Sequence, residues 1–244
     1  MGMFSALLII VACAAGPEQA TPSEQAAEPS RAEVWLDKIE AKAAEVSALS
    51  AKLTYVREQN LLGGKQTRYG TLVYQAGPPA KFRANFDKLA ESGVLHEMNV
   101  TFIFDGRYLV ERDNDERIWT RRELAREGES VDLLAFGQGP FSLPLNMKKA
   151  EVLDRFTVEA ADGGEDQPVH LVLTPREDQD MDVTKVELWF ERDTLLPIRA
   201  RQEEETDAMD MKLRETAVNP PSLEEAFAGL GFTFSLSRRA VMNR

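Results

Sequence analysis

Apolar and polar residues alternate through the middle of this chain, and the alternation predicts β-strands. The sequence K-F-R-A-N-F-D at 81–87 makes every second residue apolar, and M-N-V-T-F-I-F at 98–104 continues the pattern. Because successive side chains of a strand point to opposite faces, each strand has an apolar face and a polar face, with Arg83 on the polar one. Turn sequences at 62–65 and 105–106 indicate that neighbouring strands pair as antiparallel hairpins.

Helical spacing precedes the strands. Ser30 and Glu33 fit a capping box, in which the Ser hydroxyl accepts a hydrogen bond from a backbone N–H three residues on. Apolar residues then recur every three or four positions, at Leu36, Ile39, Ala43, Val46 and Leu49. This spacing predicts an amphipathic helix from residue 30 to about residue 50.

The second half of the chain also favours strands. They are predicted at 156–160, 169–173, 186–190 and 197–203, followed by a short helix at 222–227 and a last strand at 232–236. Residues 131–147 interrupt this pattern, because they are apolar without alternation and contain Gly and Pro at close intervals. That segment is predicted as a short helix and an irregular apolar loop.

One face of the predicted strands carries a large apolar set. Its members are Leu72, Tyr74, Phe82, Phe86, Met98, Val100, Phe102, Phe104, Leu171, Leu173, Val186, Leu188 and Phe190. Withdrawing each side chain from water is worth roughly 2 kcal/mol, so this face must be covered. The helix at 30–50 and the segment 131–147 are the candidate covers. Periodicity alone leaves two interpretations open, a permanently filled core and a surface that also receives a ligand.

The charge balance excludes one class of partner. The 244 residues have a formal net charge of -12 and a pI of about 4.8. Nucleic-acid binding needs clustered Lys and Arg, which an acidic chain of this kind does not offer. The same balance argues against tight binding to anionic lipid headgroups.

The N-terminal residues are typical of an export signal. Residues 4–15 are apolar but, at about 12 residues, too short to span a bilayer of ~30 Å as a helix. Cys13, the sole cysteine, follows I-V-A and resembles a lipobox, which predicts lipidation at Cys13. An ordinary signal-peptidase site at 12–14 and a disordered apolar terminus are the alternatives.

These features divide the chain into three parts. Residues 1–13 are the predicted export signal, and 14–29, rich in Pro, Ala, Glu and Gln, form a linker that cannot bury an apolar face. Residues 30–244 are a single predicted domain. Because an export signal precedes it, the expected location is the periplasm or cell envelope of a bacterium.

Candidate catalytic and metal-binding residues are sparse. His96 and His170 lie near no Cys or second His at the spacing of zinc ligands. The aspartates at 178, 180 and 182 begin like a calcium loop, but Val183 and Trp189 occupy positions that need Gly and Glu, so an acidic hairpin turn is favoured. The carboxylates at 203–205 are expected to be a solvated strand edge. With no G-x-S-x-G, P-loop or G-x-G-x-x-G motif, the sequence predicts no enzyme, no metal and no cofactor.

Several short motifs occur in an order that points to a family. They are G-x-L-x-Y at 70–74, P-P-x-K-F-R at 78–83, F-D-G-R-Y-L at 104–109, L-V-L-T-P at 171–175 and L-L-P at 195–197. In this order they resemble the bacterial outer-membrane lipoprotein carrier and sorting proteins, which are LolA-like with a LolB-like receptor branch. The resemblance lies in the pattern, over about residues 33 to 236.

The resemblance implies an α+β, mainly β fold, a half-open antiparallel β-barrel whose apolar concave face is covered by a helical lid. The apolar set would line the ligand cavity. The lid would comprise Leu133, Leu134, Phe136, Phe141, Leu143 and Leu145. Such a protein shields acyl chains of lipids or lipoproteins and delivers them in the envelope, where a membrane-bound partner protein is a further expected contact.

Two departures from that family limit what carries over. The carriers place an Arg, which fastens the lid, just before the Pro after the second strand of the sheet, whereas this chain has Gly77 before Pro78. A shuttle must also be soluble, while lipidation at Cys13 would anchor the protein, as suits a receptor. The alternative function is an envelope sensor or protein-interaction module whose barrel is permanently filled.

Overall fold

The computed structural model describes residues 29–61, 63–126, 143–161 and 163–220. The described chain begins with helix α1, Arg31–Ala43, and Ser30 caps it as predicted, because its Oγ accepts a hydrogen bond from the Glu33 backbone N–H at 3.2 Å. Helix α2 is Lys149–Arg155. The strands are β1 Ala48–Gln59, β2 Gly64–Gln75, β3 Lys81–Glu91, β4 Val94–Phe104, β5 Tyr108–Asp113, β6 Ile118–Glu123, β7 Phe156–Ala161, β8 Val169–Pro175, β9 Val183–Phe190, β10 Pro197–Glu204 and β11 Asp207–Val218.

The eleven strands of the described residues belong to one antiparallel sheet. Their order is β6-β5-β4-β3-β2-β1-β11-β10-β9-β8-β7, so that two meanders join where β1 pairs with β11. Strands β6 and β7 are the two edges and do not pair with each other, which leaves the sheet unclosed. The predicted fold, mainly β with a half-open antiparallel sheet, is confirmed.

The first helix is shorter than its apolar spacing predicts. It ends at Ala43, and Val46 and Leu49 are buried outside it, with Leu49 in β1 between Tyr74 and Val218. The side chain of Asn219 fixes the start of β1, since its Oδ1 accepts hydrogen bonds from the backbone N–H groups of residues 47 and 48 at 2.9 Å. Long-range pairing therefore overrides the local helical spacing.

The expectation of a solvated strand edge at 203–205 is wrong for the two residues that lie in β10. That strand is internal, because it pairs with both β9 and β11. Side chains of the same strand donate hydrogen bonds to both carboxylates: Arg201 Nε donates to Glu203 Oε1 at 3.0 Å, and Gln202 Nε2 donates to Glu204 Oε1 at 2.9 Å. The strand accommodates both carboxylates in this way.

Other predicted elements have mixed outcomes. The strands expected at 156–160, 169–173, 186–190 and 197–203 correspond to β7, β8, β9 and β10. The helix at 222–227, the strand at 232–236 and most of the segment 131–147 lie outside the described residues. In the part of the chain that the structure describes, no helix is long and apolar enough to cross a membrane.

Candidate functional site

The predicted apolar set shares one face of the sheet, except that Met98 also lines the groove on the opposite face that is described below. Strand register aligns it in rows: Tyr74 lies opposite Phe82, which lies opposite Phe104. In the other half of the sheet Leu171 lies opposite Leu188. Because side chains alternate between faces, these rows form one continuous apolar surface on both sides of the β1–β11 junction.

This surface is almost completely buried. Twelve of the thirteen predicted residues are at most 8% exposed, and several of those on β8 and β9 are at 0%. The exception is Met98, which is partly buried and packs against the core from an irregular part of β4. The aromatic rings also contact one another, with Phe82 and Phe104 centroids 5.8 Å apart and Phe86 and Phe102 edge to face at 6.0 Å.

Two short helices and an extended segment cover the apolar face. Helix α1 contacts β7 and α2, and Lys149 joins the two helices, since its Nζ lies 2.9 Å from the Asp37 carboxylate. The segment that leads into α2 buries Leu143, Leu145 and Met147, which are 1%, 4% and 6% exposed. Two predicted lid residues, Leu143 and Leu145, thus belong to the core cluster. Leu133, Leu134, Phe136 and Phe141 lie outside the described residues, as does Cys13.

The described part of this cover leaves little empty space beneath α1. A cavity between α1 and residues 195–197 has a volume of about 10 Å³ and is lined by Ile39, Leu145 and Leu196, among others. A cavity of that size holds at most about one water molecule. No acyl chain fits there unless the cover moves.

Some core residues escape the sequence prediction. The junction strands contribute Leu53 and Tyr55 from β1, Met211 and Leu213 from β11, and Ala200 from β10. The signal was present, because Leu49, Ala51, Leu53 and Tyr55 alternate with polar residues. The start of this strand was missed because Leu49 also fits the spacing of the preceding helix.

The opposite, outer face of the sheet carries a polar groove of about 500 Å³. Thr71, Asn85, Thr101 and Arg112 line it as one row across β2, β3, β4 and β5, in register with Trp119 on β6. Arg83 lines the same groove, as its strand parity predicts. No sequence motif marks this face as a binding site.

A second polar cluster on the outer face surrounds Trp189. The His170 ring stacks on the indole with centroids 4.4 Å apart, and the Arg199 guanidinium lies 4.3 Å from the same ring. Arg199 in turn donates two hydrogen bonds to the Asp210 carboxylate at 2.9 and 2.8 Å. This bidentate pair joins β10 to β11.

Burial lowers the pKa of His170 below its usual value of 6.5, although the nearby Glu187 carboxylate, 3.3 Å from Nε2, favours the charged form. The folded protein therefore binds fewer protons than the unfolded chain between the lowered pKa and 6.5. Stability associated with His170 is present above pH 6.5 and lost as the pH falls through that window.

We expect His170→Gln to reduce the loss of stability between pH 7.5 and pH 5.5. Denaturant unfolding of both proteins at the two pH values measures the difference in the free energy of unfolding. The matched control is the same substitution at the exposed His96 on β4, compared with His170→Gln at both pH values. A wild-type pH dependence in His170→Gln would contradict the assignment.

The structure gives a physical reason for the missing arginine before Pro78. A Cβ atom at Gly77 would lie 2.6 Å from the Pro79 carbonyl oxygen, closer than real Cβ contacts allow. This turn therefore accepts no side chain at 77 without moving its backbone. Arg83, the nearest arginine of the resemblance motifs, lies on the outer face and donates from Nε to Asn85 Oδ1 at 2.9 Å.

Metal-binding geometry is not found in the part of the chain that the structure describes. No group of three or more His, Cys, Asp or Glu there could hold an ion. The aspartates at 178, 180 and 182 are exposed between β8 and β9, as expected of an acidic hairpin turn. The absence of enzymatic activity and of a cofactor stays a prediction.

Comparison with known proteins gives similarity in structure only. No protein-family profile and no curated protein matches the chain. A putative outer membrane lipoprotein-sorting protein domain from Vibrio parahaemolyticus is 10% identical, with a TM-score of 0.42 over 82% of this chain and 97% of its own. The lipoprotein LppX from Mycobacterium tuberculosis is 12% identical, with a TM-score of 0.43 over 79% and 98%.

A LolA superfamily protein from Nitrosomonas europaea is 11% identical, with a TM-score of 0.35 over 76% of this chain and 94% of its own. Similar solved structures thus include proteins of the kind that the sequence resembles. At these identities and TM-scores the likeness carries no information about the ligand of this chain.

Proposed function

We propose that this chain is an exported cell-envelope protein that binds acyl chains of lipids or lipoproteins against its apolar concave face. The observation that supports the proposal is the cover of that face. An unclosed sheet of eleven strands presents one apolar surface, and short helices and an extended segment cover it in place of a second sheet.

The chemistry of the face suits such a ligand. Acyl chains offer no hydrogen bonds, so a binding surface for them needs area and shape and no catalytic group. Phe82, Phe86, Phe102 and Phe104 supply a contiguous aromatic patch on β3 and β4. The helices contact mainly β7 and each other, so they lie toward the other half of the sheet.

The N-terminal sequence supplies the location. Export behind the signal at 1–13 brings the domain at 30–244 into the envelope, and lipidation at Cys13 would anchor it there through the linker at 14–29. An anchored acyl-binding domain acts in lipoprotein sorting or transfer as a receptor. A domain released by ordinary signal cleavage acts as a soluble carrier.

A fluorescent fatty-acyl probe tests the proposal on the full chain carrying Cys13→Ser, which has no covalent lipid to compete. We expect saturable binding, and faster uptake by Leu143→Ala, because that change removes a buried contact of the cover. Stopped-flow fluorescence measures both. Leu95→Ala, at a residue 58% exposed on β4, is the matched control and should behave like the parent protein.

Failure of both the parent protein and Leu143→Ala to take up the probe would contradict acyl binding. That result would favour the second candidate, an envelope sensor or protein-interaction module with a permanently filled barrel. One observation supports this alternative, namely that the measurable cavity under α1 has a volume of only about 10 Å³. Recovery of a stable complex with an envelope protein, without bound lipid, would establish it.

A further inference from the structure

Two successive irregularities in strand pairing create the groove on the outer face. Between β2 and β3 the register shifts after Gly70, so that Asp87 is an extra residue, and between β3 and β4 it shifts again beside Asp87. Extra residues bend a sheet and interrupt its ladder of hydrogen bonds. The groove of about 500 Å³ opens at this place, within the size range of about 300–1,000 Å³ of small-molecule sites.

Arg112 is the least satisfied polar group of the groove. Its guanidinium lies 4.1 Å from the centroid of the Trp119 ring on β6. Its Nε is buried and has no hydrogen-bond partner, and no described residue forms an ion pair with the guanidinium. A buried donor without a partner is costly, so an oxygen ligand at Arg112 would gain more than the average hydrogen bond.

The opposite end of the groove is acidic. Asp87 and Glu97 line it there, and no ion pair within 4.0 Å involves either carboxylate in the part of the chain that the structure describes, although Lys88 lies opposite Glu97 in the β3–β4 ladder. With Arg83 and Arg112 at one end and two carboxylates at the other, the lining has no net charge. A purely anionic ligand would be repelled by the acidic end, whereas a ligand with one charge of each sign matches both ends.

The groove also offers amide groups. Asn85, Asn99 and Asn114 line it, and each keeps hydrogen-bonding capacity after its internal bonds. Asn114 Nδ2 donates to Asn99 Oδ1 at 2.9 Å, which leaves Asn114 Oδ1 and Asn99 Nδ2 available. An acceptor and a donor side by side complement the N–H and C=O of a peptide unit.

The positions of these residues on the sheet set the length of the ligand. Asp87 on β3 lies two residues along the strands and two strands across from Arg112 on β5, and Glu97 on β4 lies four residues along and one strand across, so the backbone separations are about 12 to 14 Å. An extended tripeptide or tetrapeptide spans about 10 to 14 Å between its ends.

We propose that this groove binds a short peptide with free ends, its terminal carboxylate at Arg112, its ammonium group at Asp87 and Glu97, and its peptide units along the asparagines. The site lies on the face opposite to the acyl-binding surface, so the inference does not depend on the proposed function. It assigns a second ligand, of a different chemical class, to the same sheet.

Calorimetric titration of the full chain with trialanine tests the proposal, using N-acetyl-trialanine and trialanine amide as probes that each lack one terminal charge. We expect the free tripeptide to bind at least 10-fold more tightly than either blocked form. Arg112→Gln should bind the acid and the amide equally, and Asp87→Asn should weaken discrimination against the acetylated form. Arg122→Gln, at an exposed arginine on the opposite face of β6, should change nothing.

Equal affinity for the free and blocked peptides, or no binding at millimolar concentrations, would overturn the proposal. Tighter binding of glucuronate than of trialanine would overturn it as well and assign the groove to acidic carbohydrates. Arg112→Lys separates charge from geometry, because it keeps the cation and loses the planar fork, and should lose part of the affinity. Thermal unfolding of every variant identifies any loss of binding that comes from misfolding. If Arg112→Gln is misfolded, the affinity of Arg112→Lys tests the proposal in its place.

Discussion

Gly70→Ala should lower the free energy of unfolding by about 3 kcal/mol or more, which is at the upper end of overpacking effects. A Cβ atom at this position would overlap the Asn85 carbonyl oxygen and lie 2.9 Å from the Phe86 Cα. All the near atoms belong to the backbone of β3, so no side-chain rotation relieves the contact. The strands β2 and β3 would have to separate where their register shifts.

Gly164→Ala is the matched control for that substitution. A Cβ atom there meets nothing within 4 Å, and the residue does not require a positive φ angle, so its stability should stay within about 0.5 kcal/mol of the parent protein. Urea unfolding of the three proteins measures the difference. Equal stabilities for Gly70→Ala and Gly164→Ala would show that β2 and β3 tolerate a wider spacing than the structure has.

The apolar side of the sheet was predictable because its signal is local and repeated. Phe82, Ala84 and Phe86 alternate in β3, and a strand with a period of two has only one way to bury them. The rest of the rows follow from the hairpin turns, which fix the order of neighbours. That β1 pairs with β11 was not predictable, since residues about 160 positions apart meet there.

The boundary of α1 shows where local patterns fail. Val46 and Leu49 satisfy the helical spacing and are buried, yet they belong to the loop and to β1. These two residues would be buried whether the segment formed a helix or a strand, so the hydrophobic pattern alone does not distinguish the two conformations. The hydrogen bonds between Asn219, which follows β11, and residues 47 and 48 favour the strand.

The outer groove was beyond sequence analysis for a related reason. Thr71, Asn85, Thr101 and Arg112 are ordinary polar residues of four strands, and nothing in their spacing marks them as a set. They come together only through register. The one local signal is Gly70 inside an otherwise regular strand, because a strand glycine often marks a bulge or a close backbone approach.

The two faces of the sheet therefore have different physical roles. The apolar rows hold the two meanders and their cover together, and the outer face carries the hydrogen-bonded pair Arg199–Asp210 and Arg112, whose Nε has no partner.

A permanent core and an acyl-binding surface predict different losses of stability for the same truncation. In a permanent core each side chain contacts protein on all sides, whereas one that lines a cavity loses less when it is shortened.

Phe190→Ala should lower the free energy of unfolding by about 3–5 kcal/mol, the usual cost of deleting a fully packed phenylalanine. Phe190 is 0% exposed and lies between Val169 on β8 and Pro197 on β10, so the deletion leaves a cavity that the paired strands cannot close. Denaturant unfolding measures the loss, with Leu95→Ala, at an exposed position, as the control that should cost less than about 0.5 kcal/mol.

Phe82→Ala on β3 makes the comparison with the other half of the sheet, because Phe82 is 1% exposed and lies farther from the contacts of the two helices. A loss equal to that of Phe190→Ala means that both halves are permanent core, and acyl binding then requires the cover to leave first. A smaller loss, together with weaker binding of the acyl probe, places the ligand against β3 and β4. A loss below about 1 kcal/mol for Phe190→Ala would contradict the tight packing of β8, β9 and β10.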